Sequence, residues 1–499
     1  MLPDSASVNP RTSLRSAPPT LRAAITQHAS AHPGRSAVVR HDLDLTYADL
    51  AEAVDRCAAL LRRSGITERS VAGISVADEV QHLVVSVAAL ALGARQVTLA
   101  THDTEAVRSD CARQVQVTDV ISSRDEHRLP GAGFVRLPAD PRFRDVRPAP
   151  GEGACDDPGG VLYLKTSGTT GRMRIVAFEQ AQVAEQARRH ANYADERFLR
   201  LASIEHNNSK RHRLYGVFAG GTAVFRDAGP TPVDELCRRH AITCVDASRL
   251  HISDLAYGER RGGGRLLDGI KLRTGGSFVP GALRRALEER VTTELYVRYA
   301  ATECGAISMA MPGEHDDTDP AGRPIDGVTI EVVGPDDVVL PRGAIGQLRL
   351  KAPGMAAGYH GDPEATERRF RDGWFHPGDS ASIREDGVLL VHGRADDMII
   401  LNGLNIYPAE IERTLERHPS VRAAAALPVE SAVHGQIPVA AVELHDGAVA
   451  TGSELLGWAR DQLALRAPRR IAVMAALPRN SQGKIAKLEI AAMMRGAPR

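Results

Sequence analysis

Between residues 71 and 122, short hydrophobic runs alternate with longer amphipathic stretches. "VAGISVA" (71–77), "RQVTLA" (95–100) and "TDVISS" (118–123) are brief and rich in apolar or β-branched residues, which predicts buried strands. "EVQHLVVSVAALALGA" (79–94) and "DTEAVRSDCARQV" (103–115) are long enough for helices between them. The alternation returns at 211–247, where "RLYGVFAGG" leads into "TAVFRD" and "TPVDELCRRHA" into "ITCVDA". Strands separated by helices of this length predict parallel α/β layers. From residue 321 the pattern shortens to β-rich pieces with turn residues, as in "GVTIEVVGPDDVVLPRGAIGQLRLKAPG" (327–354). The segment 397–499 has its own helices ("PAEIERTLERH", "GSELLGWARDQLA") and strands ("AAAALPV", "PVAAVEL"). The expected organisation is a disordered Ser/Pro/Arg-rich tail (1–20), a core domain (21–395) and a small lid domain (396–499), with a Pro/Gly/Asp-rich linker at 139–160.

Composition narrows the function classes. The 499 residues are 43% hydrophobic and 25% charged, with 62 basic residues balancing 62 acidic ones. This lacks the basic excess of nucleic-acid or membrane-surface proteins. Leu83–Ala94, the longest nearly apolar stretch, is shorter than the roughly 20 residues needed to cross a bilayer, so no membrane span is expected. Six cysteines lie scattered without a C-x-x-C pair, which reads as reduced thiols in a cytoplasmic protein. Only six basic residues are lysines: Lys165, Lys210, Lys271, Lys351, Lys484 and Lys487. Where arginine is the default cation, a lysine gains weight as a residue needed for its own shape.

Candidate chemistry begins at "KTSGTTGRMRIV" (165–176). After the strand-like "GVLYLK", Thr166, Ser167, Gly168, Thr169, Thr170 and Gly171 combine hydroxyl donors with glycines that let backbone N–H groups turn around an anion. Arg174 adds a positive charge. The run lacks the G-K-[ST] ending of a Walker loop, and alone it suits an ordinary loop equally well. Four more stretches follow in order: "YAATECG" (299–305), "GWFHPGDSASIREDGVLLVHGRADDMI" (373–399), "NGLNIYPAEIE" (402–412) and "LPRNSQGKIAK" (477–487).

In this order and spacing the five stretches resemble the ANL superfamily of adenylate-forming enzymes, over essentially the whole chain. The resemblance implies an α/β fold, with a large N-terminal domain of layered sheets and a small mobile α+β C-terminal domain. It implies that loop 166–171 and Arg174 hold the β- and γ-phosphates of ATP while a carboxylate attacks the α-phosphate. Pyrophosphate leaves, and a thiol of CoA or of a carrier protein then displaces AMP from the acyl-adenylate. Glu303 matches the ligand of Mg²⁺, with Thr166 beside it, and Thr302 matches the α-phosphate donor. Tyr299, Ala300, Gly275, Gly276 and Ser277 match the adenine surround, and Asp379 and Arg394 the ribose contacts. Lys484 matches the lysine that bridges α-phosphate and acid. His206 matches the gate of the acid pocket, and Asp396 the hinge.

Departures from the pattern bear on the substrate. Met173-Arg174-Ile175 replaces P-K-G, keeping a charge but losing a compact ammonium. Y-A-A-T-E replaces Y-G-x-T-E, so the Ala300 methyl narrows the way to the acid pocket. In "EHNNSKRHRLYGVF" (205–218) a basic run occupies the start of a helix that is mostly apolar in relatives. Lys210, Leu214 and Val217 fall at i, i+4 and i+7, as do Arg211, Tyr215 and Phe218, so both cations extend apolar stripes and should face inward. Asn207, Asn208 and Ser209 read as N-cap residues. Lys210 and Arg211 are therefore expected to meet a small anionic or polar substrate; the alternative is a solvated basic turn. The expected function is adenylation of a small or aromatic acid followed by thioester formation. The alternative within the superfamily is a diazotase that activates nitrite for an arylamine. A non-catalytic nucleotide binder and a phosphate-loop NTPase releasing ADP are rivals from other classes.

Overall fold

Thr20, the last residue assigned to the tail, is the cap of the first helix. Its Oγ1 accepts the Ala23 N–H at 3.1 Å, and Leu21–Ala31 follows. The structure, a computed structural model, describes residues 20–149, 152, 159–166, 173–227, 229–259, 263–316, 318–401, 404–431, 435–480 and 483–496. The rest of the tail lies outside these residues, as does much of the predicted linker.

The described residues fall into two compact units: Met1–Val245 with Thr302–Gly305 and Pro353–Thr366, and Asp246–Ala301 with Ala306–Ala352 and Glu367–Arg499. In the first unit, the alternation at 71–122 forms strands Val71–Ile74, Arg95–Thr98 and Asp119–Ser122, separated by helices Glu79–Ala91 and Glu105–Val115. These strands pair in parallel. They extend to Gly133–Arg136 on one side and to Val161–Thr166 and Arg174–Glu179 on the other, making a six-stranded sheet. Strand Val71–Ile74 is buried throughout, as a parallel strand covered on both faces must be. The expectation of parallel α/β layers therefore holds.

In the second unit, Lys271–Gly275 pairs in parallel with Leu295–Ala301. The β-rich region from 329 to 394 forms a second sheet, in which Gly346–Lys351 lies between Trp374–Phe375 and Asp379–Ile383. The C-terminal strands Val421–Ser431 and Gly435–Leu444 form a third, backed by helices Pro408–Glu416 and Gly452–Leu463 through Ile411, Leu415, Leu455 and Ala459. Residues on both sides of Asp396 belong to this unit. Helix Arg249–Tyr257 docks the C-terminal segment through Arg249 to Glu416 (2.7 Å) and Arg422 to Asp254 (3.1 Å). Among the described residues no helix is long and apolar enough to cross a membrane, and Cys57, Cys111, Cys237, Cys244 and Cys304 are buried free thiols.

Candidate active site

The phosphate-loop motif sits between two paired strands. Val161–Thr166 and Arg174–Glu179 run antiparallel, with Thr166 opposite Arg174, because "GVLYLK" and "RIVAF" are apolar enough to join the buried sheet. Thr166 is itself buried. Ser167, Gly168, Thr169, Thr170 and Gly171 lie outside the described residues. The outer strand receives a distant segment: Tyr359 bridges to Val176, and the His360 N–H donates to the Ile175 carbonyl at 2.7 Å. From there the Tyr359 hydroxyl donates to Glu303 Oε1 at 2.8 Å, while the Glu303 carbonyl accepts the Ala356 N–H at 2.8 Å. Glu303 is only 9% exposed. Arg174 pairs with Asp362 at 3.5 Å, its guanidinium 5.5 Å from the Tyr359 ring. Thr166, Arg174 and Glu303 are thus brought together through Tyr359 and Asp362.

Helix Asn207–Ala219 departs from the expected cap and stripes. Its N-cap is His206, which makes no side-chain cap bond. Asn207 is already helical, and its amide donates to the Lys165 carbonyl; the Ser209 hydroxyl donates to the Ala202 carbonyl at 2.7 Å. Burial covers every side of the helix from Ser209 to Phe218, because Leu21–Ala31, Glu79–Ala91, Gln180–Arg188 and strand Thr222–Val224 all pack on it. A helix buried all round is ordinarily hydrophobic all round. Here each cation instead has internal partners, which rules out the solvated turn. Lys210, 1% exposed, donates to Gln96 Oε1 at 2.8 Å and Thr98 Oγ1 at 3.1 Å. With no carboxylate among these partners, burial pushes its ammonium down to about 7. Arg211 donates to the Thr302 carbonyl at 2.8 Å and lies 5.6 Å from the Phe178 ring. Arg213 pairs with Glu79 at 2.8 Å. Lys210 and Arg211 face inward as expected, but onto protein groups.

His206 stands beside His102, ring centroids 5.3 Å apart. Burial lowers its pKa first, and the neighbouring His102 lowers it further.

The second unit gathers the residues matched to the nucleoside. Tyr299 donates its hydroxyl to Asp379 Oδ2, and Arg394 donates to Asp379 Oδ1 at 3.3 Å and to the Pro377 carbonyl at 2.6 Å. Asp379 and Arg394 are also register partners in adjacent strands, so sheet pairing sets their approach. Asp396 accepts from Arg369 at 2.6 Å and Arg394 at 3.2 Å. Gly275 lies opposite Arg298, where a Cβ would come 2.7 Å from the Arg298 carbonyl oxygen, and Gly276 has φ +83°. Ser277 follows this turn, and Ala300 is exposed at the end of its strand. Lys484 lies on a turn where its N–H donates to Asn480 Oδ1 at 3.0 Å.

This geometry coincides with a family match over most of the chain. Residues 25–360 match the model of the AMP-binding enzyme family, and residues 410–484 that of the AMP-binding enzyme C-terminal domain. The chain is an AMP-binding enzyme. It belongs to the adenylate-forming superfamily and is an ATP-dependent, AMP-forming ligase. It is 29% identical over 494 residues to a feruloyl-CoA synthase of Amycolatopsis sp, covering 95% of this chain and 97% of that protein. Its fold is similar to that of the amide bond synthetase McbA from Marinactinospora thermotolerans, with TM-score 0.84 and 23% identity over 95% of this chain and 99% of that one. The O-succinylbenzoate coenzyme A synthetase of Bacillus subtilis in complex with ATP and magnesium ion aligns with TM-score 0.81 and 23% identity, covering 94% and 99%.

Sequence reasoning passed over Tyr359 and Asp362, although "GYHGD" places an aromatic and a carboxylate between two motifs. It also passed over His102. The available signal was position, since His102 follows closely on a parallel strand, where α/β sheets carry their ligand-binding residues.

Proposed function

We propose that this ligase joins ATP to a small or aromatic carboxylic acid, releases pyrophosphate, and passes the acyl group from the adenylate to a thiol of CoA or a carrier protein. The observation that carries the reading is the Tyr359 link. It seats one carboxylate, Glu303, against the strand pair that frames the phosphate loop. Among the described residues no three His, Cys, Asp or Glu side chains form a metal cluster. A single fixed carboxylate nevertheless fits Mg²⁺, which takes one or two protein carboxylates and completes its shell with water and substrate phosphates. Glu303, with Thr166, would hold Mg²⁺, which when bound neutralises charge on the phosphates.

The side chains supply the remaining work. Loop 166–171 and Arg174 bind the leaving pyrophosphate, and Thr302 donates to the α-phosphate. Asp379, with two oxygens, accepts both ribose hydroxyls, and Tyr299 with Gly275–Ser277 borders the adenine. Lys484 stabilises charge that develops as the acid attacks. The cations that would have favoured nitrite, Lys210 and Arg211, are occupied by Gln96, Thr98 and the Thr302 carbonyl.

The test is pyrophosphate release with ATP, Mg²⁺ and a panel of ferulate, benzoate, indoleacetate, succinylbenzoate and a fatty acid, with nitrite plus an aminobenzoate as a separate arm. Product thioesters are read by mass after adding CoA. ADP as product, or release with nitrite alone, overturns the reading. Lys484→Ala should remove most pyrophosphate release while leaving ATP affinity nearly unchanged, since a group acting on developing charge lowers turnover more than binding.

A further inference from the structure

His102 and Glu205 form a carboxylate–imidazole pair that the scheme above leaves unused. His102 Nδ1 lies 3.2 Å from Glu205 Oε2. Glu205 is buried and held in place by the Thr101 N–H at 2.6 Å and the Thr101 hydroxyl at 3.0 Å. An ionised carboxylate only accepts, so Nδ1 carries a proton, and in the neutral imidazole the lone pair is on Nε2. Nε2 makes no hydrogen bond among the described residues, and the side chain is 40% exposed. The groups facing the ring are Glu205 and His206 from the segment entering helix Asn207–Ala219, and Asp103, whose Oδ1 lies 3.9 Å from Nε2. Asp103 is in turn paired with Lys165 at 3.2 Å. Lys165 immediately precedes Thr166, and His206 matches the gate of the acid pocket. The His102 ring therefore packs beside His206, and Asp103 links it to Lys165, the neighbour of Thr166.

We propose that His102, oriented by Glu205, is the general base of acyl transfer. The proposal rests on the two-step reaction above and concerns its second step. As the acceptor sulfur attacks the acyl carbonyl carbon, the S–H proton passes to His102 Nε2 and a C–S bond forms. The C–O bond to the AMP phosphate then breaks, and AMP leaves with that electron pair. The imidazolium, stabilised by Glu205, returns its proton to water through its exposed edge.

Two half-reactions separate the outcomes. ATP–pyrophosphate exchange, run with whichever panel acid the wild type activates best, reads adenylation. AMP release on adding CoA to the preformed adenylate reads transfer. His102→Gln should keep exchange within about twofold yet slow transfer about 100-fold or more, and flatten its rise with pH. Glu205→Gln should slow transfer less, about tenfold. The ¹⁵N spectrum of His102 should show the proton on Nδ1 in the wild type and on Nε2 in Glu205→Leu. Unchanged transfer with retained exchange, equal loss of both half-reactions, or an Nε2-protonated wild type each overturns the proposal. No exchange in the wild type with any acid instead overturns the two-step reading itself.

Discussion

Arg211 donates from Nη1 to the carbonyl oxygen of Thr302 at 2.8 Å, which fastens a buried helix to the residue directly before Glu303. The cation expected to meet the substrate instead holds the segment that carries the Thr302 and Glu303 side chains. Arg211→Met keeps apolar bulk beside Phe178 and removes the donor. Displacing a site residue by about 1 Å costs up to about 100-fold in turnover. The kcat for pyrophosphate release should therefore fall 10- to 100-fold, with the KM for the acid nearly unchanged. A rise in the acid KM alone would reinstate direct substrate contact.

Lys210 makes stability depend on pH. Burial lowers its folded pKa from 10.5 to about 7. Between these values the unfolded chain holds the proton and the folded chain does not, so stability from this group rises with pH across the window and is poorest below it. Lys210→Met removes the penalty but strands Gln96 and Thr98, at a cost of about 1–3 kcal/mol. The Tm difference, variant minus wild type, should therefore fall steadily from pH 7.5 to 10, from positive towards negative. Buried His82, also held neutral, titrates below this window, its pKa pushed well under 6.5. A pH-independent difference would mean that Lys210 stays charged.

Gly275→Ala tests the proposed adenine surround. The new Cβ would stand 2.7 Å from the Arg298 carbonyl oxygen across the sheet, so the strands must part. Overpacking of this kind costs about 1–3 kcal/mol. Thermal denaturation should register the loss, and the KM for ATP should rise several-fold while that for the acid holds. An unaltered ATP KM in a destabilised protein would make this turn purely structural.

Asp396 is held by both Arg369 and Arg394. If it is the hinge of a rotating lid, Asp396→Pro, which fixes φ near −65°, should slow one half-reaction well beyond the other. Rates of pyrophosphate exchange and of AMP release on adding CoA decide it. Equal effects on both would remove the hinge.

Much of this protein is determined by local sequence. Short apolar runs separated by longer stretches set the strands and helices of the 71–122 layers, since run length and composition over ten or so residues decide which buried element forms. The spacing of Gly, Thr and Ser in 166–171, with motifs such as "YAATE" and "PGDS", carried the family resemblance that the match over residues 25–360 bears out. What tertiary structure alone decided is where the charges of helix Asn207–Ala219 go. The inward direction of Lys210 and Arg211 follows from the stripes, but the cap is His206 rather than Asn207, Asn208 or Ser209, and elements from four parts of the chain bury every other side of the helix as well. Gln96 and Thr98 for Lys210, Thr302 for Arg211, Tyr359 for Glu303 and His102 for Glu205 are all distant in sequence. A buried polar group must find a partner or lose several kcal/mol, but which distant group supplies it depends on how the layers stack.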